Sequence, residues 1–109
     1  MASTFTSAAQ TLGTTNDSSA NIYTVPANTS SVIHALYVSN TNETLFLHVN
    51  IAVTVAGGGT YYYIGNCLEV QAQNTLVLDK PINLQANDTI RVWADVAGGS
   101  VYLSILQIT

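Results

Sequence analysis

The chain has 109 residues, of which six are acidic and two basic, for a formal net charge of −4. That length suits one domain with a single modest core and leaves no room for a separate catalytic domain. With Lys80 and Arg91 as the only cations, no basic patch exists to hold a phosphate backbone, and no apolar run nears the eighteen or so residues that span a bilayer, so neither nucleic acid nor membrane is expected as a partner.

In chain order, residues 1–20 are polar and weakly patterned, with Asn16-Asp17 as a turn signal. They read as either a short first strand around Thr4 to Ala8 or an extended arm. Residues 21–109 read as a single β domain. A short strand from Asn21 to Val25 is stopped by Pro26, and Pro26-Ala27-Asn28-Thr29 is turn chemistry. Ser31 to Ser39 and Thr44 to Val55 are rich in Val, Ile, Leu, Tyr and Phe and read as strands. In the second, Leu45, Leu47, Val49, Ile51, Val53 and Val55 alternate with Phe46, His48, Asn50, Ala52 and Thr54, and the first set is expected to face the core. Gly57-Gly58-Gly59 supplies a turn. It lacks the Lys-Ser/Thr and following helix of a phosphate-binding loop.

Thr60 to Ile64 opens another strand, in which neighbouring tyrosines of the Tyr61-Tyr62-Tyr63 run point to opposite faces. Gly65-Asn66 marks a bend before Cys67 to Ala72. Asn74 to Leu78 leads through Asp79-Lys80 to Pro81, which excludes a central-strand position there. Ile82 to Leu84 is a short edge element. After the Ala86-Asn87-Asp88 turn, Thr89 to Val96 and Ser100 to Ile108 are expected to form a terminal hairpin across Ala97-Gly98-Gly99. About eight strands with frequent turn signals and no helical periodicity predict an all-β, antiparallel β-sandwich with Greek-key or jelly-roll connections.

The chemistry-bearing residues give no catalytic constellation. The lone Cys67 has no internal disulfide partner and reads as a buried inert thiol. The N-terminus has neither a basic nor an apolar signal region, so synthesis in a cytoplasm is expected, and the Asn-x-Ser/Thr triplets at Asn16, Asn28, Asn42 and Asn87 carry little meaning. If Ser31–Ser39 and Thr44–Val55 form a hairpin over Asn40 to Glu43, one register sends His34 and His48 to opposite faces and another pairs them. Two histidines without a third ligand make a poor zinc site. Asp17, Glu43, Asp79, Asp88 and Asp95 read as ordinary turn or surface residues, with Glu69 alone in mid-strand. Neither enzyme activity, metal nor cofactor is expected.

Two features point toward assembly. Ser, Thr and Asn make up 33 residues, so the water-facing side is hydroxyl and amide, and such a surface repels copies of itself only weakly. A chain so poor in charge either associates specifically or precipitates, and specific association is the reading adopted. Alternation also places Tyr61 and Tyr63 on one face, while Trp93 shares a face with Arg91 and Asp95. This aromatic set fits a sugar-stacking platform or an anchor at a protein interface. The interface reading, with Tyr61, Tyr63, Arg91 and Trp93, is favoured.

Ile22-Tyr23-Thr24-Val25-Pro26-Ala27-Asn28-Thr29 followed by Val32 to Asn40 resembles the start of a group of short β-sandwich virion proteins of tailed phages, cyanobacterial phages among them. Tyr62-Tyr63-Ile64-Gly65, Leu76 to Leu84 and Asp88-Thr89-Ile90-Arg91-Val92 are similar to their later part. The resemblance covers about residues 20 to 109. It implies a capsid decoration (cement) protein, or a small tail, neck or fibre component. The implied partners are the major capsid protein and copies of the chain itself, as a homotrimer, on the capsid surface of the virion. No catalytic residue comes with it.

Overall fold

The structure is a computed structural model, and it describes residues 3–16, 20–56 and 58–109. Nine strands follow one another: β1 (Ser3–Thr11), β2 (Asn21–Thr24), β3 (Ser30–Asn40), β4 (Leu47–Thr54), β5 (Tyr61–Val70), β6 (Thr75–Leu78), β7 (Ile82–Leu84), β8 (Thr89–Ala94) and β9 (Gly99–Ile108). They form two antiparallel sheets. One has five strands in the order β1-β9-β3-β6, with β7 also paired to β3; the other has four, in the order β2-β8-β4-β5.

The pairing is nested. β4 pairs with β5, β3 with β6 and β7, β2 with β8, and β1 with β9. Counting β6 and β7 as one interrupted strand, this is a long two-stranded ribbon folded over on itself, the jelly-roll form of the sandwich. The molecule is a slab of 47 × 27 × 19 Å. Its core is the dry layer between the sheets, where Ile33, Leu36, Val38, Leu103 and Ile105 of the larger sheet meet Leu47, Val49, Ile51, Ile90 and Val92 of the smaller, all without solvent exposure. Each such side chain contributes about 1.5–3 kcal/mol through burial.

The expected hairpins do not form. β3 and β4 lie in different sheets, as do β8 and β9. The two crossings meet at one seam. Asn40, buried at the end of β3, donates its amide to the carbonyls of Leu45 (2.8 Å) and Val70 (3.0 Å), and its Oδ1 accepts the Asn42 N–H (3.0 Å). The Asn42 side chain in turn donates to the Ala97 carbonyl at 2.9 Å. Gly98 has φ 109°, and a Cβ there would strike the Asn42 carboxamide; one on Gly99 would run into Leu47 and Leu12. The 97–99 stretch is therefore built to pass between sheets rather than to reverse within one.

Three further expectations are corrected. Leu45 and Val55 are 54% and 51% exposed because they lie beyond the ends of β4, whereas Ala52 and Thr54 are buried. The strand that opens at Thr60 continues through the Gly65-Asn66 bend as expected, as β5, which ends at Val70 and whose register against β4 slips between Val49 and Ile51 and again between Ile51 and Ala52. Cys67 sits in the first of these irregularities with φ 55° and is exposed, not buried; the bulge turns the thiol out of the alternation. Asp88 is buried rather than a surface residue, its carboxylate accepting the N–H groups of Ala56 (3.0 Å) and Gln85 (2.9 Å) at the turn. Asp17 and Gly57 lie outside the described residues. The alternative of a first strand holds, and β1 is longer than Thr4 to Ala8.

Candidate interaction surfaces

On the outer face of the four-stranded sheet the register of β4 with β8 and β5 sets Ala52 between Arg91 and Tyr63, Thr54 between Thr89 and Tyr61, and Asn50 beside Trp93. Small residues on the central strand leave room for large ones on both neighbours, and these close over it. Tyr63 meets Trp93 edge-on, with ring centroids 6.0 Å apart at 66°. Tyr61 lies 6.5 Å from Trp93 at 56°, and the Arg91 guanidinium stands 5.1 Å over the Tyr61 ring. Such ring contacts contribute about 0.5–1.5 kcal/mol each, and the half-buried Arg91 over the Tyr61 ring about 1 kcal/mol. All four residues expected at an interface are thus brought together. The rings are inclined to one another and do not lie in one plane as a platform for a sugar ring would require.

At the far end of this face Asp95 accepts the His48 backbone N–H at 2.9 Å through Oδ1 and lies 3.0 Å from His48 Nδ1 through Oδ2. The backbone N–H is the chief reason the Asp95 carboxyl is held below its ordinary value of 3.8; partial burial opposes it, and the His48 side chain adds to the lowering. Both side chains are about half exposed, so the pair is a minor contributor to stability. His34 lies on the other sheet against Phe5, with centroids 5.9 Å apart. Among the described residues no three His, Cys, Asp or Glu side chains gather to hold a metal ion.

The five-stranded sheet presents a different outer face. None of the residues in β1, β3, β6, β7 or β9 is Asp, Glu, Lys or Arg. Tyr37 of β3 pairs with Tyr102 of β9 on one side and Val77 of β6 on the other, and Tyr102 pairs with Ala9 of β1, so a row of apolar side chains crosses four strands. The two tyrosine rings lie 6.4 Å apart. Towards the opposite end Phe5 and Val32 flank Leu106. Phe5, Tyr37, Val77 and Tyr102 are all exposed. Serine and alanine fill the space between the two apolar groups: Ser7 beside Ser104, and Ser104 beside Ala35. Exposed aromatic and aliphatic side chains without ionic groups among them match the composition of interface cores. At its edge a shallow cleft of about 320 Å³ opens between Ile64 and the 77–82 stretch.

This second face was missed in the sequence because its members come from four strands far apart in the chain. The available signal was the segregation of charge, since every ionic residue within a strand falls in β5 or β8.

No protein family matches the chain, and a search of curated proteins finds no match.

Proposed function

We propose that this chain is a structural protein of a tailed-phage virion, a capsid decoration protein that binds the outside of the assembled shell and stabilises it. One observation supports an assembling role above the others: a whole five-stranded sheet without an ionic residue, carrying exposed aromatic and aliphatic side chains on its outer face. The virion assignment rests on the sequence resemblance. The jelly roll is compatible with it, being a fold used by viral capsid proteins, and also by lectins and cupins. In this reading the charge-free face lies against the major capsid protein, copies of the chain associate as a homotrimer about a symmetry axis of the shell, and neither catalysis, metal nor cofactor takes part. Binding only the assembled state stabilises that state by mass action. A small tail, neck or fibre component would use the same face with a different copy number.

The inclination of Tyr61, Tyr63 and Trp93 to one another weighs against the second reading, a carbohydrate-binding module in which they would stack on a sugar. There Trp93→Ala abolishes glycan binding and leaves particle binding intact.

Cryo-electron microscopy of the source particle tests the proposal. Density for the chain over the icosahedral shell is the expected result. Density confined to the tail or fibres reassigns it to those parts, and absence from the particle overturns the virion reading.

A further inference from the structure

A sandwich of two open sheets has four edges, each offering unpaired N–H and C=O groups to any passing strand, and stable proteins blunt such edges with short strands, prolines, charges or bulges. Three of the four are blunted here. β2 has four residues, a register irregularity and Pro26 just beyond its end. β5 carries two irregularities, the positive φ of Cys67, and Glu69. The edge beyond β3 is broken into β6 and β7, of four and three residues, by Asp79-Lys80-Pro81.

The fourth edge, β1, has none of these devices. Its nine residues, Ser-Thr-Phe-Thr-Ser-Ala-Ala-Gln-Thr, contain no charge, proline or glycine. They run in unbroken register along β9 from Ser3 opposite Ile108 to Thr11 opposite Ser100. All but Ala8 and Gln10 are exposed.

We propose that β1 pairs antiparallel with β1 of a second copy, joining two five-stranded sheets into one continuous sheet. Four observations choose this occupant. Antiparallel pairing of a strand with itself is self-complementary, so one edge serves both copies. It closes at two, because the edges left at the ends of the joined sheet are the broken β6 and β7. Each copy carries a net charge of −4, yet none of it lies in a strand of this sheet, so the pairing brings no like charges together. Finally, with Ser7 on the two-fold axis, Phe5 of one copy falls opposite Ala9 of the other. Phe5 is 76% exposed, and Ala9 is the small neighbour of Tyr102, so the phenyl ring gains cover beside a second aromatic. A nine-residue ladder is about 30 Å long and makes a small interface, at the weak end of those that hold two proteins together. The pair therefore forms and dissociates with concentration. The pairing does not depend on the virion reading: in a trimeric decoration protein it joins copies of neighbouring trimers, and in any other assembly it acts alone.

Two measurements decide it. In a Cys67→Ser background, single cysteines are placed in turn from Thr4 to Ala9 and the protein is oxidised; the yield of disulfide-linked dimer is expected to peak at Ser7→Cys, where the paired Cα atoms fall within disulfide range. A flat profile, no higher than for Val77→Cys on the opposite edge, overturns the pairing. Sedimentation across a concentration series of the native chain is expected to show a mass that rises with concentration, to twice the monomer or, for a trimeric chain, beyond the trimer; Ser7→Lys abolishes this rise and Val77→Lys retains it, with circular dichroism unchanged in both. A mass independent of concentration, or a rise that Ser7→Lys leaves in place, overturns it. Either result leaves the particle density free to support or sink the virion assignment.

Discussion

The two sheets share one core and differ in almost everything else. Their central strands fill the inner layer with the same kind of side chain, Val, Leu and Ile. Their outer faces are not. The four-stranded sheet holds every ionic residue that lies in a strand, breaks its edge ladder twice, and packs Tyr61, Arg91 and Trp93 over its own small residues, while Tyr62, Tyr63 and Ile64 of its edge strand stay exposed. The five-stranded sheet keeps long strands in nearly continuous register and leaves its large side chains to water. Inner faces report what holds a sandwich together; outer faces report what it meets. One outer face here carries the strand-borne ionic groups, and the other carries none.

The largest effect is expected where the sheets are tied together. Asn40→Leu keeps the branched shape and removes the hydrogen bonds that the Asn40 side chain makes in the seam, stranding the Val70 carbonyl and the Asn42 N–H. Stability should fall by about 3 kcal/mol, seen as a lower urea midpoint at unchanged slope. An unchanged midpoint would mean that the sheets are held by the core alone. Next, Trp93→Ala deletes the partner of both Tyr61 and Tyr63 on the closed face. A loss of about 2 kcal/mol is expected, from the lost ring contacts and burial, with particle binding intact; weaker particle binding would make this face the docking surface instead. The converse substitution is Val77→Lys on the open face. Thermal stability should stay within about 0.5 kcal/mol, as for exposed sites generally, while binding to the particle is lost.

The smallest effect is electrostatic. Because the folded-state pKa of Asp95 is lowered, its contribution is complete above the ordinary value of 3.8 and disappears as pH falls from there through the folded value. With the carboxyl half exposed the amount is below about 1 kcal/mol. Denaturant midpoints of the native chain and Asp95→Asn should differ slightly at neutral pH and converge in acid; a constant difference would remove ionisation as the cause.

Strands were legible in the sequence and sheets were not, for a physical reason. Alternation records which side chains of a strand face an apolar layer, and both sheets face the same layer. Ser31 to Ser39 and Ser100 to Ile108 therefore read correctly as strands, but nothing in the pattern says which neighbour each pairs with. A short glycine-containing loop serves equally to reverse a chain within a sheet or to carry it across, and what decides at Gly98 and Gly99 is the packing of Asn42, Leu12 and Leu47. The Tyr61, Tyr63, Arg91 and Trp93 cluster was legible by parity because each pair lies within one strand. The open face needed the topology. Cys67 was misread because a bulge inverts the alternation on which burial was judged, and the run around it gives no sign of the bulge except Gly65.

The nested pairing also fixes an order of folding. β9 lies between β1 and β3, yet it is the last of the nine strands to be synthesised. Until it is complete, β1 has no neighbour in its sheet and β3 has only the short β6 and β7. The nascent chain thus holds two long strands, both without Asp, Glu, Lys or Arg, in waiting for a third that arrives roughly sixty residues after β3. Such long-range closure is slow and leaves sticky edges uncovered meanwhile. Yield of soluble protein should accordingly depend on how fast β9 inserts, and substitutions in Val101 to Ile105 should depress it more than equally buried ones in β4, whose partner β5 follows within a few residues.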